Sequence, residues 1–549
     1  MLVTLVVAVS LLGAGTAAPA PDPARFDRQK VAWSACEDQD VPKDLECGKV
    51  TVPLDHAHPG AGTLELALAR YRATGEKHGS VVLDFGGPGA AGVPELAYSR
   101  RTFADLTNHY DVVSFDPRGV GRSSPVSCGD WASNEDEDEG EGEVTGDDPQ
   151  ALLERLRKIA GLCTKHSGPV LPYVGTVFAA RDLDVIRSAL GERKLNYLGF
   201  SYGSRLGAVY AAQFPDRVGR LALDGVDTLT EPVAEQGIAG ARGQQLALDD
   251  FTSWCARGPA CPLGKEPRAA REEVVRLVRS LDAHPVQSYL GGEFTGQDLV
   301  GALGQALYRK DWWPSLQVGL TRLTRDGDPS GVQSFAAGGL DSPRHTATRL
   351  LNSAHPLDSP RHKAPSPLNS AHETPTSPTR PPNSPPPKGI HTPLTDPSDV
   401  PLDNMPAALM AINCADDPDR PTPRQITDAL PALRASFQQA SPVFGPYRLA
   451  ETLMCHGRPK GTEFIREDVK NLRTPKLLLV GTRGDPATPY RWTTETAARL
   501  GSAAVVLDNR GEGHTGYASS RCVRRKVDDF LLDGSLPPSG SSCGADEEP

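Results

Sequence analysis

Gly199-Phe200-Ser201-Tyr202-Gly203 constrains the fold of this chain more than any other stretch. Lys194-Leu195-Asn196-Tyr197-Leu198 before it reads as a short buried strand, and Arg205-Leu206-Gly207-Ala208-Val209-Tyr210-Ala211-Ala212 after it reads as a helix. A Gly-x-Ser-x-Gly on a sharp strand-to-helix turn strains the serine backbone and exposes its hydroxyl above the end of a sheet. The flanking glycines let strand and helix approach without Cβ clashes. The same pentapeptide also occurs in ordinary glycine-rich turns, so reading Ser201 as a nucleophile requires partners downstream.

Those partners come late in the chain. Thr474-Pro475-Lys476-Leu477-Leu478-Leu479-Val480-Gly481 is an apolar strand that runs into Thr482-Arg483-Gly484-Asp485-Pro486. Ala503-Ala504-Val505-Val506-Leu507 is a second strand, opening into Gly511-Glu512-Gly513-His514. Asp485 and His514 are thus expected just past the ends of consecutive strands, where loops carry chemistry in open α/β sheets. The order Ser201, Asp485, His514 is the one expected of α/β-hydrolases. In that arrangement His514 takes the serine proton and Asp485 fixes the imidazole tautomer. Activity is then expected to fall as His514 protonates, near about 6.5 for an ordinary histidine. Taken singly, an Asp in a Gly-Asp-Pro turn is a turn former and a lone His a surface residue.

An oxyanion hole needs two backbone N–H groups aimed at the developing charge. The residue after the nucleophile, Tyr202, is expected to supply one. Ser80-Val81-Val82-Leu83-Asp84-Phe85 reads as an earlier strand, followed by Gly86-Gly87-Pro88-Gly89, and by position the second donor is Gly87. A plain Gly-Pro turn is the competing reading.

Further motifs follow one another in order. They include Val31-Ala32-Trp33, Val52-Pro53-Leu54-Asp55, Ser114-Phe115-Asp116-Pro117-Arg118-Gly119-Val120-Gly121 and Ala180-Arg181-Asp182-Leu183-Asp184. Phe214-Pro215-Asp216-Arg217-Val218, Leu223-Asp224-Gly225-Val226, Trp254-Cys255-Ala256 and Cys261-Pro262-Leu263-Gly264 come next. Together with the elbow and the triad they resemble the secreted bacterial tripeptidyl aminopeptidases, relatives of the prolyl aminopeptidases within the α/β-hydrolases. The resemblance runs from about Phe26 to Cys543 with a gap near the middle. It implies a mostly parallel central sheet flanked by helices, and an exopeptidase that engages a free amino terminus and removes a short peptide, often of three residues. Two positions depart from the family pattern: Phe85 stands where relatives usually carry His or Pro, and Cys455-His456-Gly457-Arg458-Pro459 lacks a tryptophan before its proline.

With 549 residues the chain is long enough for one large α/β domain plus a cap. A net charge of −11, with no basic run, argues against nucleic acid as a partner. Residues 1–20 read as a signal peptide, with an apolar run from Leu2 to Leu12 followed by small residues. No Lys or Arg precedes that run, as a start upstream of Met1 would explain. The run is too short for a comfortable membrane span, and no other stretch is long and apolar enough. Ten cysteines in an exported chain point to disulfides. Connectivity stays open from sequence; the resemblance favours neighbour pairing, Cys36–Cys47, Cys128–Cys163, Cys255–Cys261, Cys414–Cys455 and Cys522–Cys543. No Cys-x-x-Cys or Cys/His cluster has metal-ligand spacing, so neither a metal nor any cofactor is expected.

The expected domain organisation follows. Residues 26–227 form the first part of the hydrolase core, with the nucleophile, and 228–340 a helical cap. Residues 341–400 form a disordered low-complexity insertion, 401–543 the second part of the core with acid and histidine, and 544–549 a tail. The insertion repeats Leu340-Asp341-Ser342-Pro343-Arg344-His345 as Leu357-Asp358-Ser359-Pro360-Arg361-His362, and no apolar stripe lets two such copies bury a core. Its histidines, His345, His355, His362, His372 and His391, read as solvated spacers rather than ligands. The acidic run at 134–148 reads as a solvated insertion, or as an electrostatic lure for cationic peptide ends. Asp227, Glu231 and Glu235 are candidate partners for a substrate ammonium, though a surface carboxylate is the plainer reading of each. The expected function is a secreted serine exopeptidase acting on peptides with free amino termini. A secreted esterase or amidase with the same triad, and a catalytically silent binding protein, are the alternatives.

Overall fold

The computed structural model describes residues 24–37, 41–129, 149–289, 291–336, 391–392, 399–461, 463–465 and 469–544. The signal-peptide reading, the acidic run, the tail beyond residue 544 and most of the proposed insertion lie outside the described residues.

Thirteen strands are described: β1 (Ser34–Ala35), β2 (Leu45–Pro53), β3 (Thr63–Tyr71), β4 (Ser80–Asp84), β5 (Asp111–Phe115), β6 (Leu195–Phe200), β7 (Val218–Asp224), β8 (Val286–Gln287), β9 (Glu293–Phe294), β10 (His391–Thr392), β11 (Leu477–Gly484), β12 (Ala504–Glu512) and β13 (Ser542–Cys543). Eleven form one sheet in the order β1-β2-β3-β5-β4-β6-β7-β11-β12-β13, with β10 beside β3. The first strands meander antiparallel; from β5 to β13 every pairing is parallel. The parallel strands β4 and β11 are buried on both faces, which is why Val81-Val82-Leu83 and Leu477-Leu478-Leu479-Val480 read as continuous apolar runs rather than alternating ones.

Helices α1 (Gly92–Tyr98), α2 (Pro149–His166), α3 (Thr176–Ala189) and α4 (Tyr202–Gln213) belong to the first half of the core. A helical segment follows: α5 (Val233–Arg257), α6 (Pro267–Ala283), α7 (Gly296–Ala306), α8 (Trp313–Asp326) and α9 (Ser330–Ala336). The chain returns through α10 (Asn404–Asp416), α11 (Pro423–Ala440), α12 (Gly445–Thr452), α13 (Tyr490–Leu500) and α14 (Arg521–Asp533). The period of two in the strands divides the core into two layers. Val82, Tyr197, Leu221, Leu477 and Leu479 face α3, α4 and α10, whereas Val81, Leu83, Leu198, Leu478 and Val480 face α1 and α14.

The cap has its own core of Leu248, Phe251, Phe294, Leu303, Trp313, Leu320 and Phe335, each of whose burial contributes about 1.5–3 kcal/mol. Val443 and Phe444, far along the chain, join that cluster. Helix α6 buries Ala270, Val274, Val278 and Leu281, one face at helical spacing. Thr295 and Asp298 close a capping box on α7, and Gly327 ends α8 in the left-handed region.

Two findings refine the sequence expectations. All ten cysteines are paired, in the neighbour scheme that the resemblance favoured. Within the span expected to be disordered, His391 and Thr392 pair in parallel with Thr63 and Leu64. Strand β3 meets β5 only over Leu68–Tyr71, so its first residues present an open edge that β10 covers. Among the described residues no helix is long and apolar enough to cross a membrane, and no cluster of His, Cys, Asp or Glu is arranged to hold a metal ion.

Candidate active site

Strand order reverses at β4, whose two neighbours are β5 and β6, and crevices outside the carboxyl ends of strands at such a switch point are where open α/β sheets bind ligands. The Gly86–Gly89 loop leaves β4 there and the Ser201 elbow leaves β6 beside it. Ser201 has φ 55° and ψ −123°, a left-handed backbone in a non-glycine residue. The strain is held from several sides. The Ser201 N–H donates to the Asp224 carbonyl (2.8 Å), while the Ser201 carbonyl accepts from the Ser204 N–H (2.8 Å) and from Ser204 Oγ (2.5 Å). Ser204 Oγ also accepts from the Asp227 N–H at 2.8 Å, tying the elbow to the loop after β7. The glycines of the motif have a steric cause: a Cβ on Gly203 would lie 2.7 Å from the Asp84 carbonyl oxygen and Oδ1.

Gly86 closes against the elbow, since a Cβ there would stand 3.0 Å from Ser201 Cβ and 3.2 Å from the Tyr202 nitrogen. The Gly86 N–H is bonded to Asp84 Oδ1 at 2.9 Å, whereas among the described residues no backbone carbonyl accepts the Gly87 N–H. Burial pushes the Asp84 carboxyl up to about 7 against the opposing bond from Gly86. Tyr202 begins α4, where the first N–H groups of a helix have no partner within it. Its phenol is anchored to Thr176 Oγ1 (2.7 Å), which donates in turn to Asp416 (2.5 Å). Phe85, the departure from the family pattern, lies beneath the loop in an aromatic cluster. It stacks on Phe200 at 5.9 Å and meets Phe103 edge-on at 6.0 Å, and Phe103 stacks on Tyr517 at 5.6 Å.

Asp485 and His514 follow β11 and β12, as expected. His514 Nδ1 lies 2.9 and 3.0 Å from the two Asp485 oxygens. The carboxylate also accepts the N–H groups of Ala487, Thr488 and Thr515 and the Thr488 hydroxyl, at 2.8–3.1 Å. Burial raises its pKa, but the His514 charge and these bonds prevail and hold it below the usual carboxylate range. For His514, burial lowers the pKa while Asp485, Asp224 and Asp227 raise it, and the carboxylates prevail.

Sequence reasoning missed Asp224. Its carboxylate accepts the N–H groups of Gly516 (2.9 Å) and Tyr517 (2.7 Å), just past His514, while its carbonyl holds the Ser201 N–H. One residue thereby locks the Ser201 loop to the His514 loop. Burial pushes its carboxyl up to about 6 against those two donors. Asp224→Ala would strand both N–H groups in a dry interior and is expected to cost about 3 kcal/mol. Chemical denaturation should show a lower midpoint at unchanged slope.

The three carboxylates considered for a substrate ammonium have different fates. Asp227, expected at the surface, is buried and pairs with Arg205 at 2.9 Å, because α4 presents that guanidinium one turn after Ser201. Glu231 accepts from Arg491 (2.5 Å) and Trp492 Nε1 (2.8 Å), and Glu235 is exposed. Asp403 and Asn404 are further residues without a sequence signal. They bond to Ser127 and Cys128 and to Gly119, Gly121 and Val126, seating α10 so that a Cβ on Gly89 would lie 2.9 Å from the Met405 carbonyl oxygen.

Fold and site together define a serine hydrolase. A family model described as "alpha/beta hydrolase fold" matches residues 81–321, and one described as "TAP-like protein" matches residues 441–543. The chain has the α/β-hydrolase fold and carries a TAP-like C-terminal segment. It is 29% identical to "Serine protease Hip1" of Mycobacterium tuberculosis over 94% of this chain and 91% of that protein. It is 35% identical to "Tripeptidyl aminopeptidase" of Streptomyces lividans over 54% of this chain and 56% of that protein. It is 29% identical to "Carboxylesterase B" of Mycobacterium tuberculosis over 93% of this chain and 89% of that protein.

Proposed function

We propose that the protein is a secreted serine exopeptidase that removes short peptides, three residues long on the analogy of the Streptomyces relative, from free amino termini. The observation that carries this reading is the buried Asp485–His514 pair, which Asp224 ties to the strained Ser201 elbow. His514 takes the Ser201 hydroxyl proton as Oγ attacks the scissile carbonyl. The N–H groups of Tyr202 and Gly87 receive the oxyanion. His514 then hands the proton to the departing amine, leaving an acyl group on Ser201. Water, deprotonated by the same imidazole, attacks the acyl group and releases the peptide. Asp485 keeps Nδ1 protonated and stabilises the imidazolium. Five disulfides support an oxidising compartment. In this reading residues 26–227 and 401–543 make the hydrolase core and 228–340 the cap that shapes the substrate pocket.

The relative named Carboxylesterase B favours a second reading, an esterase with the same triad. Chromogenic Ala-Ala-Pro-anilide, free and N-acetylated, separates the two. The peptidase reading expects cleavage of the free form alone. Equal cleavage of both forms, or none beside brisk ester hydrolysis, would transfer the assignment to the esterase.

A further inference from the structure

The cap touches the histidine loop at three consecutive residues. The Tyr308 carbonyl, just after α7, accepts the His514 N–H at 2.7 Å. The Tyr308 ring meets the imidazole edge-on, with centroids 4.9 Å apart and planes at 73°. A Cβ on Gly513 would fall 2.8 Å from that same carbonyl oxygen. Lys310 Nζ completes the seam on Glu512 at 3.1 Å. Gly225 also comes close enough that a Cβ there would lie 3.5 Å from His514 Cε1. A single hydrogen-bonded pair at Nδ1 leaves an imidazole free to tilt about that contact. Here the Tyr308 ring packs against the imidazole and the Gly225 backbone lies near its Cε1.

We propose that Tyr308 is a positioning residue for His514, so that the cap, and not the hydrolase core alone, sets the angle at which the base meets Ser201. This rests on the reading of Ser201 and His514 as nucleophile and base. Its physical content is that proton transfer tolerates little misplacement, and an error of about 1 Å can cost about a hundredfold in rate. The ring also keeps water from one side of the imidazole. Asp485, Asp224 and Asp227 are the carboxylates whose charges act on His514, and they are untouched by a change at Tyr308.

The test compares Tyr308→Ala and Tyr308→Phe with the parent and with Ser201→Ala. It reads kcat and KM on the peptide anilide, and the rate of inactivation by a small fluorophosphonate. The latter needs the serine and its base but reaches no peptide subsite. Tyr308→Ala is expected to lower kcat and the inactivation rate together, by about 10- to 100-fold, with KM within about threefold. The acid limb of its kcat/KM profile should move to higher pH, because burial is the one influence that disfavours the imidazolium. Tyr308→Phe keeps the ring edge and should restore both rates. A change in KM alone would make Tyr308 a substrate contact and overturn the proposal, as would unchanged rates in Tyr308→Ala. If the alanine variant does not fold, Tyr308→Leu, which keeps the bulk without the flat edge, replaces it under the same criteria. Fluorophosphonate labelling that survives Ser201→Ala would instead overturn the underlying assignment of the nucleophile.

Discussion

Ser201→Ala is expected to lower kcat/KM by about a millionfold, down to the residual rate that an oxyanion hole and substrate binding supply by themselves. The size of the loss follows from the division of labour at the elbow. In the proposed mechanism Oγ is the atom that forms the acyl bond. Ser204, the nearest serine in sequence, is buried, and its oxygen is committed to the Ser201 carbonyl and the Asp227 N–H; the Tyr202 phenol is tied to Thr176. The substitution should leave the fold alone. The Ser201 peptide groups make the bonds that hold the turn, and alanine retains both. Stability is therefore expected within about 0.5 kcal/mol of the parent, as for a substitution that strands no partner. Matched unfolding curves and rate measurements check both halves. A variant that keeps more than about a thousandth of the activity would mean that another nucleophile does the work.

Much of this site was legible in sequence because the chemistry confines particular residue types to strand ends. Leu477-Leu478-Leu479-Val480 has to be a buried parallel strand, so Asp485 follows it into a loop over the sheet, and the same logic places His514 after β12. What sequence hides is any role defined by a distant partner. Leu223-Asp224-Gly225 reads as an ordinary strand end, yet its carboxylate is held by backbone donors 292 and 293 residues away. Backbone N–H groups have no letter in a sequence, so such a lock leaves no motif. Asp227 illustrates the converse. A carboxylate in a loop reads as surface, and only the fold brings Arg205 within 2.9 Å and lets both charges be buried together. Phe85 reads in sequence only as a departure from the family pattern, because its ring partners Phe103 and Phe200 are scattered along the chain. Tyr308 is hidden for the same reason, since a cap residue meets the histidine only when the cap folds over the core.

Asp485→Asn should separate the two things the acid does. The amide fills the same space and its oxygen can still accept the N–H groups of Ala487 and Thr488. Its NH2 group, however, cannot serve where a carboxylate oxygen accepts from His514 Nδ1. The imidazole then settles in the wrong tautomer, and the loss expected in kcat is about ten-thousandfold. The pH profile carries the second, independent sign. In the parent, the carboxylates near His514 outweigh burial and raise its pKa. In the proposed mechanism the neutral imidazole is the active base, so the acid limb of kcat/KM should lie on the alkaline side of about 6.5. Removing the Asp485 charge leaves burial less opposed, and the limb should shift toward acid as the plateau falls. Stability moves by the same linkage. A histidine with a raised folded pKa contributes stability that is complete below its unfolded pKa and is lost as pH rises through the folded one. Asp485, with a lowered pKa, contributes above about 3.9, the unfolded value, and loses that contribution as pH falls through its folded pKa. The variant should lose both contributions together, because the two groups titrate as a pair. A variant whose plateau falls while its acid limb stays fixed would show that the parent's limb belongs to another group, with Asp224, pushed up to about 6, the nearest alternative.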